Sequence, residues 1–229
     1  MGPVSLIQES KQKYDEAIAK LRDPKQTEFI FVMQPAQTSL VETQRSAKEL
    51  AEIGIKTSGV IVNGLIPATE AENQFFRTRY EAQQNYLNQA RAAFPEVEFK
   101  TMELFPGELK GVARFRESAR KLFTTKHQTF LPDLLFPALG RQKMISFAGK
   151  GGVGKTTLAC LTAVYTVVLG YKTLLLTTDP AAHTGQVLDT PVTDKISQVE
   201  GLANLYAVIN SGQAFAAVIG PLPAYRTPS

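Results

Sequence analysis

Cysteine, tryptophan and histidine are all scarce in this chain of 229 residues, which has one cysteine, no tryptophan and two histidines. One thiol cannot close an internal disulfide, and it cannot build a Cys-x-x-Cys zinc clasp. Long hydrophobic runs are missing too. No apolar stretch approaches the roughly 20 residues of a membrane-spanning helix, and the opening Met1-Gly2-Pro3-Val4 lacks the basic-then-apolar layout of a secretion signal. The expectation is a cytoplasmic protein with no transmembrane segment. There is also no dense block of one charge. The 25 basic and 21 acidic residues leave a formal +4 spread along the chain, so nucleic-acid binding is not indicated. No internal repeat or low-complexity tract is visible. With 44% hydrophobic residues, the chain has material for one domain, or two small ones, with a real core.

The richest stretch is Gly149-Lys150-Gly151-Gly152-Val153-Gly154-Lys155-Thr156-Thr157. Met144-Ile145-Ser146-Phe147-Ala148 before it is an apolar run suited to a buried parallel strand, and Leu158 to Val164 after it is compatible with a helix. Strand, loop and helix are the context of a P-loop. Gly151, Gly152 and Gly154 let the backbone turn where a Cβ would clash, so that successive N–H groups can converge on phosphate oxygens at a helix N-terminus. Lys155 supplies a cation for the β- and γ-phosphates, and the Thr156 hydroxyl is placed for Mg²⁺. ATP and Mg²⁺ are therefore the expected cofactors. Cys160, in the helix after the loop, reads as a small core side chain.

A lysine directly before the Gly-Gly pair is not required of an ordinary Walker A loop. The deviant form Lys-Gly-Gly-x-Gly-Lys-Thr, here Lys150 to Thr156, resembles the SIMIBI ATPases, among them MinD, ParA, nitrogenase iron protein and ArsA. The resemblance implies that Lys150 reaches the opposite nucleotide across a dimer or pseudo-dimer interface. A second motif selects within the class. Tyr171 to Thr178 reads as a buried strand, and Asp179-Pro180-Ala181-Ala182-His183 follows at its carboxyl end, the edge where open parallel sheets bind ligands. An acidic residue there can orient water or lie near Mg²⁺. With Thr178, the segment resembles the Thr-Asp-Pro-Ala-His switch I of the ArsA-type, arsenical pump-driving ATPases. MinD- and ParA-like positioning ATPases are left as the alternative. By resemblance Asp179 positions the hydrolytic water, and His183 would lie near a metalloid site.

The front of the chain resembles the same family out of order. Glu28 to Met33 is a strand candidate, and Ser39 with Glu42 three residues on predicts a capping box opening a helix. Thr57 to Val62 is a second strand ending at Asn63, whose amide offers a donor and an acceptor to a purine edge. A helix is expected from about Thr69 to Phe94, with Phe75, Phe76, Tyr80 and Tyr86 in its core face and Arg77 and Arg79 solvated. A third strand, Val97 to Leu104, leads into Phe105-Pro106-Gly107. By resemblance Asn63 reads adenine and Pro106 packs on the base.

An α/β fold follows, with a doubly wound, mainly parallel sheet of the P-loop NTPase type. The resemblance divides the chain into the closing, adenine-side part of one ATPase half (1–123), a linker (124–142), the opening part of a second half (143–209) and an irregular tail (210–229). No segment like the family's switch II, Asp-Thr-Ala-Pro-Thr-Gly-His-Thr, is present. That strand belongs beside the P-loop strand, so its loss predicts an incomplete sheet with unpaired backbone in its middle. By chain order Asn63 and Pro106 belong to a different cradle from Lys155. The resemblance implies Mg²⁺-dependent ATP hydrolysis coupled to export of arsenite or another anion through a membrane pump, with self-association or a complementary ATPase half. A non-hydrolysing nucleotide-binding remnant or interaction module is the reading from another class.

Overall fold

The computed structural model describes residues 3–105, 107, 109–123, 141–177, 187–188, 190–209 and 215–220. Thr27–Met33 forms β1, a strand buried along its whole length. Helix α1, Pro3–Arg22, precedes it. Then come α2 (Gln37–Glu52), β2 (Thr57–Leu65), a short 3-10 turn (Ala68–Glu72), α3 (Gln74–Ala93), β3 (Glu98–Glu103) and α4 (Val112–Phe123). Beyond these lie β4 (Lys143–Ala148), α5 (Lys155–Val168), β5 (Thr173–Thr177), β6 (Ser197–Gln198), β7 (Leu205–Ile209) and β8 (Phe215–Ile219).

Among the described residues eight strands join one sheet in the order β3-β2-β1-β4-β8-β5-β7-β6. The fold is α/β and mainly parallel, of the P-loop NTPase type. The front segment and the segment that carries the glycine-rich loop meet at the β1–β4 seam, paired in parallel from Thr27 opposite Met144 to Phe31 opposite Ala148. Alternation along β1 explains how one strand serves two cores. Ile30 and Val32 face α4 and α5 with Ile145, Phe147, Phe115 and Leu158. Phe31 and Met33 face α2 and α3 with Leu40, Val62 and Leu87. The seam is fastened elsewhere as well. Lys143 Nζ and Glu28 Oε1 form a buried ion pair at 2.8 Å, Phe123 of α4 stacks on Tyr165 of α5 with ring centroids 4.6 Å apart, and Arg116 Nη2 donates to the Gly201 carbonyl at 3.1 Å.

The unpaired backbone expected beside the P-loop strand is not there. Residues 215–219, part of the expected irregular tail, form β8 and run antiparallel between β4 and β5. Phe215-Ala216-Ala217-Val218-Ile219 is apolar throughout, Ala217 and Ile219 are fully buried, and Ile219 joins the core that holds α5. An edge on each side and an apolar face are what a short hydrophobic run needs in order to pair. The sequence missed it because five apolar residues among prolines carry little periodicity.

Three local expectations change. The capping box does not form: α2 starts at Gln37, and Ser39 lies inside its first turn, where its hydroxyl accepts from Gln34 N at 3.1 Å. The helix expected over 69–94 is broken at Asn73, whose side chain accepts from Phe75 N at 2.9 Å and caps α3. Its aromatics are not core. Phe75 is 77% exposed, Phe76, Tyr80 and Tyr86 are half-buried, and the buried positions of α3 are Leu87 and Ala90. Arg77 and Arg79 are exposed. The linker at 124–140 lies outside the described residues.

Candidate functional site

The loop between β4 and α5 sits at the carboxyl edge of the parallel strands, where β1, β2 and β5 also end. Its backbone uses the freedom glycine confers. Gly149 has φ +142°, and a Cβ there would run into the carbonyl of Val32 at the end of β1. Gly154 caps α5 with φ +98° and no side-chain cap bond. The first N–H groups of α5 have no intrahelical acceptors. The loop therefore presents donors and the positive end of a helix at one point.

Two lysines leave this loop in different directions. Lys155 Nζ folds back onto the Lys150 carbonyl at 2.8 Å, so its ammonium stays with the loop. Lys150 Nζ instead pairs with Glu42 Oε1 of α2 at 3.0 Å. Beside that pair a surface cleft of about 530 Å³ is lined by Phe31, Glu42, Arg45, Ala148, Gly149 and Lys150, among others. Thr156, one residue into α5, is partly exposed.

The front segment reaches the same loop. Asn63, near the end of β2, donates through Nδ2 to the Val153 carbonyl at 2.8 Å, and a Cβ on Gly154 would meet that amide. The expectation that Asn63 serves a different cradle is overturned, because strand pairing across the β1–β4 seam carries β2 to this one. Gln83, which no sequence motif singles out, supports it. Gln83 of α3 accepts from Ile66 N at 2.8 Å and donates to the Gly64 carbonyl at 3.1 Å, holding the chain where β2 shifts register after Asn63. Gln34, past β1, donates to the Gly152 carbonyl at 3.5 Å. Glu42 has the spacing of a capping residue, and no sequence signal links it to a lysine 108 positions away. Pro106, Asp179 and His183 lie outside the described residues.

The donor set fits Mg²⁺ in one respect. Among the described residues no cluster of three or more His, Cys, Asp or Glu could hold a metal alone. A hydroxyl at the start of α5, next to a glycine-rich loop and a helix N-terminus, suits an ion that binds through few protein ligands plus phosphate and water oxygens. Cys160 offers no metalloid ligand in this fold, since it is fully buried and its thiol is pushed up to about 12 by desolvation. The unfolded chain holds this thiol near its ordinary value of 9.0. Above that value the unfolded state binds fewer protons than the native one, so stability is unaffected below about pH 9 and falls as pH rises toward 12. The expected slope is about 1.4 kcal/mol per pH unit. Urea titrations at pH 8 and 10.5 check this: over that interval Cys160→Ala should lose about 2 kcal/mol less than the unaltered chain.

A sequence profile described as the anion-transporting ATPase family matches residues 2–124 and 142–215. The chain belongs to that family. Among curated relatives, a Halobacterium salinarum protein provisionally named an arsenical pump-driving ATPase is 33% identical over 90% of this chain and 36% of its own length. The arsenical pump-driving ATPase of Acidiphilium multivorum is 31% identical over 82% of this chain and 35% of its own length. An Arabidopsis thaliana protein named ATPase GET3A is 31% identical over 52% of the chain. This anion-transporting ATPase family member spans about a third of the length of the arsenical pump relatives it matches. No helix among its described residues is long and apolar enough to cross a membrane.

Proposed function

We propose that the chain binds Mg-ATP in the loop at 149–157 and hydrolyses it to ADP and phosphate. The single observation that carries this reading is the convergence on one loop of Lys155, the α5 N-terminus and Asn63. In this scheme the loop amides and Lys155 hold the β- and γ-phosphates, and Thr156 holds Mg²⁺, which when bound neutralises phosphate charge. Asn63 keeps Oδ1 for the purine edge while Nδ2 stays on Val153, and Pro106 packs on the base. Asp179, just past the end of β5, positions the attacking water, and Lys150 serves an opposing site in a self-associated pair or with a complementary ATPase half. The chain joins the closing part of one ATPase half (1–123) to the opening part of the next (143–209), and both act on this cradle. Turnover would drive export of arsenite or another anion through a membrane pump contacted from the cytoplasm, with His183 near the metalloid.

A second reading has its own support. β8, which lies beside β4 on the side away from β1, carries no carboxylate, so a module that binds nucleotide without splitting it suits the same geometry. Phosphate release from Mg-ATP by the purified chain, lost in Asp179→Asn with binding retained, is the expected outcome for the ATPase. Saturable Mg-ATP binding with phosphate release at the buffer rate would replace it with the binding module.

A further inference from the structure

We propose that Glu42 is a positioning residue for Lys150, a counter-ion on α2 that holds the lysine ammonium out of the chain's own cradle. The inference rests on the reading of residues 149–157 as an ATP cradle. Glu42 and Lys150 meet at 3.0 Å although they come from the two separate segments that the β1–β4 seam joins. The carboxylate is well placed to do this because its stretch of α2 is fixed. Leu40 and Thr43 are buried beside it, the Thr43 hydroxyl donates to the Ser39 carbonyl at 2.8 Å, and the Ser39 hydroxyl accepts from Gln34 N at 3.1 Å. Arg45, the nearest cation on the helix, hydrogen-bonds Glu49 at 2.8 Å and feels Glu42 only as a more distant charge, so the direct contact of the Glu42 carboxylate is with Lys150.

The divergence of the two loop lysines gives this pair its consequence. The Lys150 carbonyl takes the Lys155 ammonium while the Lys150 side chain turns away toward α2. A polyphosphate entering the loop attracts both ammonium groups, and it must compete with Glu42 for the second. Both members of the pair are about half exposed, at 46% and 48%, so solvent screens it and the hold is weak and reversible. A latch of this strength changes nucleotide affinity by a small factor.

Two measurements test it. In equilibrium titrations with Mg-ATP, Glu42→Gln is expected to bind about two- to five-fold more tightly than the unaltered chain, and the gain is expected to vanish in a Lys150→Ala background. Without nucleotide, brief acylation with acetic anhydride and peptide mass spectrometry should show Lys150 labelling at least about two-fold faster in Glu42→Gln, with Lys155 unchanged. A gain in affinity that persists in Lys150→Ala overturns the proposal, as does Lys150 labelling that ignores Glu42. If the unaltered chain binds no Mg-ATP, the ATP reading fails and the competition fails with it. The labelling result then still decides whether the pair exists, so the two failures are told apart.

Discussion

Lys143→Met alone should destabilise the chain by about 3–5 kcal/mol, the usual cost of stranding one member of a buried ion pair. Lys143 opens β4 and Glu28 lies in β1, their side chains are 6% and 8% exposed, and their charged atoms are 2.8 Å apart. Removing the lysine leaves the Glu28 carboxylate in the seam without its partner and away from water. Taking both charges away changes the sign of the problem. Glu28→Met with Lys143→Met should recover most of the loss, since apolar replacement of a buried pair is often neutral or stabilising. Urea unfolding with an unchanged m-value reads both effects. A loss below about 1 kcal/mol in the single variant would match an exposed pair and would mean that β1 and β4 do not close over it.

Lys155→Ala should weaken Mg-ATP binding by about a hundred-fold or more, in line with losing a principal charged contact to phosphate. Its ammonium already lies on the loop, 2.8 Å from the Lys150 carbonyl, so little rearrangement separates this position from one over bound phosphates. Stability should change little, because Lys155 is partly exposed and its removal opens no core cavity. Thermal unfolding separates the two effects: a near-constant midpoint without nucleotide, and loss of the upward shift that Mg-ATP gives the unaltered chain. A Lys155→Ala chain that Mg-ATP still stabilises fully would place the nucleotide elsewhere.

Much of this was legible in the chain because it is written locally. The glycines and lysines from Gly149 to Thr157, the apolar run before them and the helix after them specify strand, loop and helix without outside help. β1, β2 and β3 were legible for the same reason, as short apolar or alternating runs bounded by turn residues. What was not legible depends on pairing between distant residues. β8 is defined by the gap it fills between β4 and β5. Asn63 finds its loop through a seam formed between strands of different segments. Glu42 had the spacing of a capping box, yet α2 begins two residues before Ser39 and the carboxylate goes to Lys150 instead. The aromatics of α3 show the complementary failure, in which helical spacing is right but only Leu87 and Ala90 are buried.

The central claim is that both segments of one chain close on one cradle. Zero-length carbodiimide coupling of Glu42 to Lys150 tests it most directly, carried out on an equal mixture of chains with natural isotopes and chains uniformly labelled with ¹⁵N. The carboxylate and ammonium are 3.0 Å apart and half exposed, so the amide should form readily. The expected result is a Glu42–Lys150 linked peptide pair that is wholly light or wholly heavy. Mixed light–heavy pairs at about half of the total, the proportion given by random exchange of partners, would contradict it and assign the two segments to different chains.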